Sequence, residues 1–134
     1  MVVSPKAKNK LMTGEEYRQS LRNRKSLTVY LNGEKIENVV DHPIVKLSIN
    51  SVALTYDLAH DPQYRDLATA QSALTGNTIN RFCHLHQSID DLMKKVKLQR
   101  VLGRLTGTCF QRCVGMDSLN ATYITTYEID KKHQ

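Results

Sequence analysis

Two cysteines separated by three residues are the most distinctive chemical feature of the sequence. They stand in the run Cys109-Phe110-Gln111-Arg112-Cys113. On a helix, side chains four residues apart lie on one face with Cβ atoms about 5–6 Å apart, whereas a disulfide needs about 3.8 Å. This spacing argues against a disulfide and is compatible with two thiolates that bind different irons of one iron–sulfur cluster. Arg112 would partly neutralise such an anionic group.

The same two cysteines also fit a structural role. A free cysteine behaves as a small buried apolar side chain, and two ligands alone do not complete a metal site. Both cysteines share a helical stripe with four later residues, Met116, Asn120, Ile124 and Tyr127. Spacing alone therefore leaves core packing and cluster binding as alternatives.

Other candidate sites are weaker. Cys83-x-x-His86 has the spacing of a ligand pair, with His84 between, but ordinary core or surface residues explain it as well. The sequence contains no GxGxxG, Walker, HExxH or GxSxG motif. Asp90 and Asp91 fit the start of a helix better than an acid–base pair.

A basic run follows these two aspartates, at Lys94, Lys95, Lys97, Arg100 and Arg104. Such a run is usually a solvated helix face, and we expect that here. The alternative is a contact to phosphate, for example the pyrophosphate of coenzyme A or a flavin.

Composition limits the classes of protein. The 134 residues are 40% hydrophobic and carry a net charge of +6, which fits one domain. The positive excess is concentrated in residues 1–25, and no recognition motif accompanies it, so we expect no nucleic-acid partner. No stretch is apolar enough to span a membrane, and the start lacks a secretory signal. We therefore expect a cytoplasmic protein without membrane contact.

The element pattern predicts a mainly helical domain with one or two β-hairpins. Thr13 and Glu16 have the spacing of a capping box, and Asn32-Gly33 predicts a hairpin. A second hairpin is expected around Gly76. Further helices are expected over 44–60, apolar on two sides, from Ser88 to Gly107 and from Cys109 to Asp130. Residues 1–11 are expected to form a disordered basic arm, and 12–134 the folded domain.

Several runs closely resemble a known family. These are MTGEEYRQSLR, VYLNGEKIENVVDHP, LSINSVALTYDLAHDPQY, TGNTINRFCHLHQSIDDLMKKVKLQRVLG and TCFQRCVGMDSLNATYITTYEID. They resemble the N-terminal part of the 4-hydroxybutyryl-CoA dehydratase/vinylacetyl-CoA Δ-isomerase family, flavoproteins related to the 4-hydroxyphenylacetate 3-monooxygenases. The resemblance covers about residues 12–132, and CFQRCVGMD is its most specific block.

The resemblance implies an acyl-CoA dehydrogenase-like fold and an enzyme with FAD and one [4Fe-4S] cluster. Such an enzyme converts 4-hydroxybutyryl-CoA to crotonyl-CoA, with the cluster as Lewis acid. Cys109 and Cys113 match two cluster ligands, and Gln111 matches a polar residue near the active site. On an ideal helix Gln111 would point away from both cysteines, so its role requires a local distortion.

Family members are several times longer and take their other two ligands, a His and a Cys, from a later region. Cys83, His84 and His86 do not match those places. We therefore expect an enzyme part that is inactive alone, needs the missing C-terminal region or a partner chain, and forms a homo-oligomer. The alternative is a non-catalytic helical module whose cysteines are core residues.

Overall fold

A computed structural model of the chain describes residues 10–107 and 112–133, with the backbone only at positions 112 and 113. Five helices and two antiparallel hairpins are described. The elements are α1 (Gly14–Arg22), β1 (Val29–Leu31), β2 (Glu34–Ile36), α2 (Val45–Asp57), α3 (Arg65–Ala68), β3 (Thr69–Gln71), β4 (Thr78–Asn80), a 3-10 turn (Arg81–Cys83), α4 (Ile89–Thr106) and α5 (Arg112–His133). The predicted fold class, mainly helical with hairpins, is confirmed.

Helix α1 begins at the predicted capping box. The Thr13 hydroxyl accepts from the Glu16 N–H at 3.2 Å, and the Glu16 carboxylate accepts from the Thr13 N–H at 2.8 Å. The helix then packs along α2, where the rings of Tyr17 and Tyr56 stack with centroids 5.1 Å apart. Reciprocal capping satisfies two backbone donors and fixes where the helix begins.

Both predicted hairpins are present. Strand β1 pairs with β2 in the register Val29 to Ile36, and Asn32 and Gly33 take positive φ angles of 52° and 86° in the turn between them. These angles suit Asn and Gly, which tolerate the left-handed region. The second hairpin pairs β3 with β4, and its loop contains Gly76 at a φ of 70°.

The core lies where α4 crosses the end of α2, the 3-10 turn and the start of α5. Its buried members are Leu58, Ala59, Ala68, Phe82, Leu98, Leu102 and Met116. Leu11, Leu54, Tyr64 and Leu67 pack against this cluster. The core thus fastens both helices that border the cysteine segment to the body of the domain.

Helix α2, predicted to be apolar on two sides, is covered on both sides toward its end but not near its start. It buries Ile49 and Ala53 on one side; on the other side Leu58, just after the helix, is buried and Leu54 packs against the core, whereas Leu47 is 64% exposed. On α4, Leu98 and Leu102 are buried, whereas Ile89 is 81% exposed. Among the described elements, none covers Leu47 or Ile89, so the first turn of each helix exposes an apolar side chain.

No helix of the described part of the chain is long and apolar enough to cross a bilayer. The predicted basic arm over residues 1–11 falls mostly outside the described residues. At its edge, Lys10 pairs with Glu16 at 2.5 Å and Leu11 contacts the core.

Candidate functional site

The predicted site residues lie at the junction of α4 and α5. Cys109 and Gln111 fall outside the described residues, and Cys113 occupies the first turn of α5, where the structure describes the backbone. What the structure describes in full are the two helix ends that flank the cysteine segment.

The first flank, the end of α4, is fixed to the core. Leu102 is 2% exposed and the Thr106 hydroxyl donates to its carbonyl at 2.8 Å. Gly107 takes a φ of 64° and its N–H donates to the Gly103 carbonyl at 3.0 Å, which closes the helix as predicted. Only residues 108–111 then separate Gly107 from α5, so the cysteine segment starts from a fixed point.

The second flank, the start of α5, is held by contacts of three residues in its first turns. Met116 is 2% exposed within the core. The Lys95 ammonium on α4 pairs with the Asp117 carboxylate. The Asn120 side chain accepts from the His86 N–H at 2.8 Å and donates to the carbonyls of Met116 and His84 at 2.9 and 3.3 Å. Of the predicted stripe residues whose side chains the structure describes, Met116 is buried, Asn120 is half-buried, and Ile124 and Tyr127 are exposed.

Lys95 corrects the prediction that the basic run is a solvated face. Its side chain is 8% exposed, in contrast to Lys97, Arg100 and Arg104. Lys95 lies on the face of α4 that carries Leu98 and Leu102, because positions three and seven residues apart share a helix face. A buried ammonium is costly without a partner, and Asp117 supplies one.

A buried polar network supports the loop that α5 contacts. Arg81, which is 3% exposed, donates to the carbonyls of Leu67, Asp66 and Thr69 at 2.7, 3.0 and 2.6 Å. Its guanidinium and the His84 ring both contact Asp91 Oδ1, at 3.4 and 3.2 Å. No sequence pattern marked Arg81 as buried, since an isolated arginine before Phe82 carries no periodic signal.

Asp91 has two roles in this network. It lies in the first turn of α4 as predicted, and there it also accepts from the Gln87 N–H and the Ser88 hydroxyl. Partial burial opposes its ionisation, but the hydrogen bonds from Gln87, His84 and Ser88 outweigh that penalty and lower the pKa of Asp91 to about 2. The carboxylate is therefore ionised across the physiological range.

The two histidines lie together, with ring centroids 6.4 Å apart. His84 Nδ1 and His86 Nε2 are buried and have no hydrogen-bond partner among the described residues. Burial, with the nearby Lys95 ammonium, lowers the pKa of His86. Cys83 beside them is exposed, and within residues 10–107 and 112–133 no three His, Cys, Asp or Glu side chains are arranged to hold a metal.

The chain is similar in sequence to two kinds of enzyme, a dehydratase and a monooxygenase. A 4-hydroxybutyryl-CoA dehydratase/vinylacetyl-CoA-Δ-isomerase from Clostridium aminobutyricum is 63% identical over 92% of the chain. The oxygenase component of 4-hydroxyphenylacetate 3-monooxygenase from Escherichia coli is 35% identical over 60% of it. The chain spans 25% and 15% of the lengths of these two relatives.

Solved structures of the same two kinds of enzyme resemble the chain. An archaeal 4-hydroxybutyryl-CoA dehydratase from N. maritimus matches 92% of the chain and 24% of its own length, with 52% identity and a TM-score of 0.83. The oxygenase HpaB of 4-hydroxyphenylacetate 3-monooxygenase, solved in complex with FAD, matches 69% of the chain and 19% of its own length, with 27% identity and a TM-score of 0.58.

These likenesses confirm the predicted resemblance to the dehydratases and the acyl-CoA dehydrogenase-like fold. Residues 13–134 match the family described as the 4-hydroxyphenylacetate 3-hydroxylase N terminal. That match covers nearly all of the chain, and the dehydratase and oxygenase relatives represent two branches of the same fold. The chain therefore belongs to the 4-hydroxyphenylacetate 3-hydroxylase N-terminal family.

Proposed function

We propose that this chain is the N-terminal part of a 4-hydroxybutyryl-CoA dehydratase/vinylacetyl-CoA Δ-isomerase and supplies two thiolates, from Cys109 and Cys113, to a [4Fe-4S] cluster. The observation that carries the proposal is the 63% identity to the Clostridium relative over 92% of the chain. An identity of that size, with the paired cysteines in the matched region, favours the dehydratase branch over the monooxygenase branch.

The donor chemistry fits an iron–sulfur group as far as this chain extends. Thiolate is the usual ligand of such clusters, and two cysteines provide half of a four-ligand set. The described side chains include no group of three or more His, Cys, Asp or Glu that could hold a metal ion. We propose that the other two ligands, a His and a Cys by the resemblance, come from the later region of the enzyme. Cys109 and Cys113 would hold the cluster from this side, and the chemistry it would supply is that of a Lewis acid toward the substrate hydroxyl.

The chain's own contribution is to hold the cysteine segment and to orient it. The fixed ends of α4 and α5 present the cysteine segment, and we assign to Gln111 a polar contact beside the reacting group. FAD is proposed as the second cofactor because the HpaB relative is solved in complex with it. An acyl-CoA thioester is the proposed substrate, as the names of the dehydratase relatives indicate.

The activity requires more polypeptide than this chain contains. The chain spans about a quarter of the dehydratase relatives, so residues 12–134 would act as one helical domain beside a further region or partner chain. We propose that the assembly is homo-oligomeric.

Measurement of turnover tests whether the activity requires polypeptide beyond this chain. The 134-residue chain, purified without oxygen, should give no crotonyl-CoA from 4-hydroxybutyryl-CoA. Joined to the later three quarters of the Clostridium relative, it should give crotonyl-CoA, and replacement of both cysteines by alanine in that joined protein should abolish the activity. Turnover by the chain alone, or by the double variant, would contradict the proposal.

A further inference from the structure

We propose that Asn120 is a positioning residue for the cysteine-bearing end of α5, with Lys95 and Asp117 as its helpers. The inference deepens the proposed function, on which it rests, because it names the residues that hold the segment containing Cys109 and Cys113 in place. None of the three would touch the cluster or the substrate; they act through the orientation of α5.

Exposure along α5 shows how few residues hold the helix. Between Val114 and His133, Met116 is the one buried residue and Asn120 the one half-buried residue, and every other position is exposed. The helix is therefore attached to the body of the domain within a single stretch of two turns near its start.

Asn120 carries the directional part of that attachment. Its side-chain oxygen accepts from the His86 N–H and its amide group donates to the carbonyls of His84 and Met116. One amide thus joins the helix to both backbone ends of the segment 84–86. That segment is itself rigid, because the buried His84 ring is bonded to Asp91.

The Lys95–Asp117 pair adds a second restraint, one turn nearer the cysteines. Lys95 is buried and Asp117 is largely exposed, so the pair ties the outer edge of α5 to the inner face of α4. Two polar contacts, at different heights along the helix, add directional restraints beside Met116 and limit rotation of α5 about that side chain, which an apolar contact alone would allow.

Helix geometry links these contacts to the cysteine. Positions 113, 116, 117 and 120 follow the spacing i, i+3, i+4 and i+7 and therefore share one face. Asn120 lies two turns, about 10.5 Å, from position 113. A rotation of α5 that breaks the Asn120 contacts would displace the start of the helix, where the cysteine segment joins it.

Alkylation of individual cysteines tests the proposal on the full chain, without iron. In Asn120→Ala the rate of iodoacetamide reaction at Cys113 should rise about tenfold, as expected when a hydrogen-bonded segment opens locally, while the rate at the exposed Cys83 stays constant. Ser118→Ala, an exposed position on the same helix, should leave both rates unchanged. Equal rises at both cysteines, or no change at Cys113, would overturn the positioning role.

A gentler variant covers the case in which Asn120→Ala fails to fold. Asp117→Asn keeps the size and exposure of the side chain and weakens only its pairing with Lys95, so Cys113 should react faster than in the wild type. An unchanged Cys113 rate would overturn the helper role.

Iron binding by the same variants separates the inference from the function on which it rests. In the protein joined to the later three quarters of the Clostridium relative, reconstitution with ferrous iron and sulfide should give less bound iron in Asn120→Ala than in Ser118→Ala. If Cys113→Ala in that joined protein binds as much iron as the unsubstituted joined protein, while Asn120→Ala still raises the alkylation rate of Cys113 in the chain, the ligand role is wrong and the positioning role stands.

Discussion

Gly14 shows how a single residue sets the packing of two helices. Its N–H donates to the Asp57 carboxylate at 2.7 Å, and α1 approaches α2 closely at this point. A Cβ at position 14 would lie 2.3 Å from Asp57 Oδ2 and 2.8 Å from the Ala53 carbonyl. Since the second of these atoms belongs to the backbone of a helix, it cannot move aside without disturbing α2.

We expect Gly14→Ala to lower the free energy of unfolding by about 1–3 kcal/mol, the range for insertion of a methyl group into a packed contact. Gly103→Ala is the matched control, because that glycine lies inside α4 with nothing near its Cβ position; it should raise stability by about 0.5–1 kcal/mol. Urea unfolding measures both. An unchanged free energy of unfolding in Gly14→Ala would contradict the close approach of α1 to α2.

Asp91 makes stability depend on pH in the acid range. Its folded-state pKa of about 2 lies below the reference value of 3.8, so its contribution is complete above pH 5 and is lost as pH falls from about 4 through 2. The size is about 2 kcal/mol.

Asp91→Asn should remove that part of the acid dependence, because the amide does not titrate. Asp90→Asn, at the exposed neighbouring position, should retain it. Thermal unfolding between pH 2 and 6 measures the difference, and an identical pH profile for the wild type and Asp91→Asn would contradict the assignment.

At the scale of elements, local signals predicted most of the fold. The capping box at Thr13, the Asn32-Gly33 turn and the stop at Gly107 each depend on neighbouring residues alone, so the sequence contains their full cause. What it could not show is which helix face meets another element. Lys95 belongs to a basic run, and only the position of α5 makes its side chain a buried partner of Asp117.

The candidate site, unlike the helix caps and turns, depends on contacts between residues far apart in the chain. Spacing and resemblance predict Cys109, Gln111 and Cys113 as site residues, and this stays a prediction. Met116 and Asn120 were on the predicted stripe, but no pattern indicated the contacts that Asn120, Lys95 and Arg81 make. Arg81 donates to three backbone carbonyls that lie 12 to 15 residues away along the chain. The side chains of Arg81 and His84 both contact the Asp91 carboxylate. No local periodicity encodes such contacts.

Arg81 ties α3, β3 and α4 together, so we expect Arg81→Met to lower the free energy of unfolding by about 3 kcal/mol. The reason is that it leaves three carbonyls and Asp91 without their buried donor. Arg100→Met, on the exposed side of α4, should change stability by no more than about 0.5 kcal/mol. Chemical denaturation compares the two, and similar values would contradict the buried role of Arg81.

At the scale of the whole molecule, apolar exposure is concentrated on α5. Its exposed large apolar residues are Val114, Leu119, Tyr123, Ile124, Tyr127 and Ile129. In the range 44–60, predicted to be apolar on two sides, the exposed large apolar residues are Ile44 and Leu47. Four of the six, Leu119, Tyr123, Ile124 and Tyr127, lie on one side of α5 by helical spacing. They form a larger apolar surface than Ile44 and Leu47 do, and a larger apolar patch is a more favourable contact surface.

We therefore expect a second copy of the chain to associate through α5. Ile124→Lys should shift the chain toward monomer in sedimentation velocity at concentrations where the wild type associates. Leu47→Lys, which places the same charge on α2, should have little effect. The reverse order of the two variants would move the contact to α2.

The central claim is that Cys109 and Cys113 are cluster ligands that need further polypeptide. It is tested most directly by iron and acid-labile sulfide per chain after strictly anaerobic purification, with a visible spectrum. We predict near-zero iron for the chain alone and about four irons per site, lost in Cys109→Ala and Cys113→Ala, when the chain is joined to the later region of the Clostridium relative. Full iron content in the joined double variant would contradict the account.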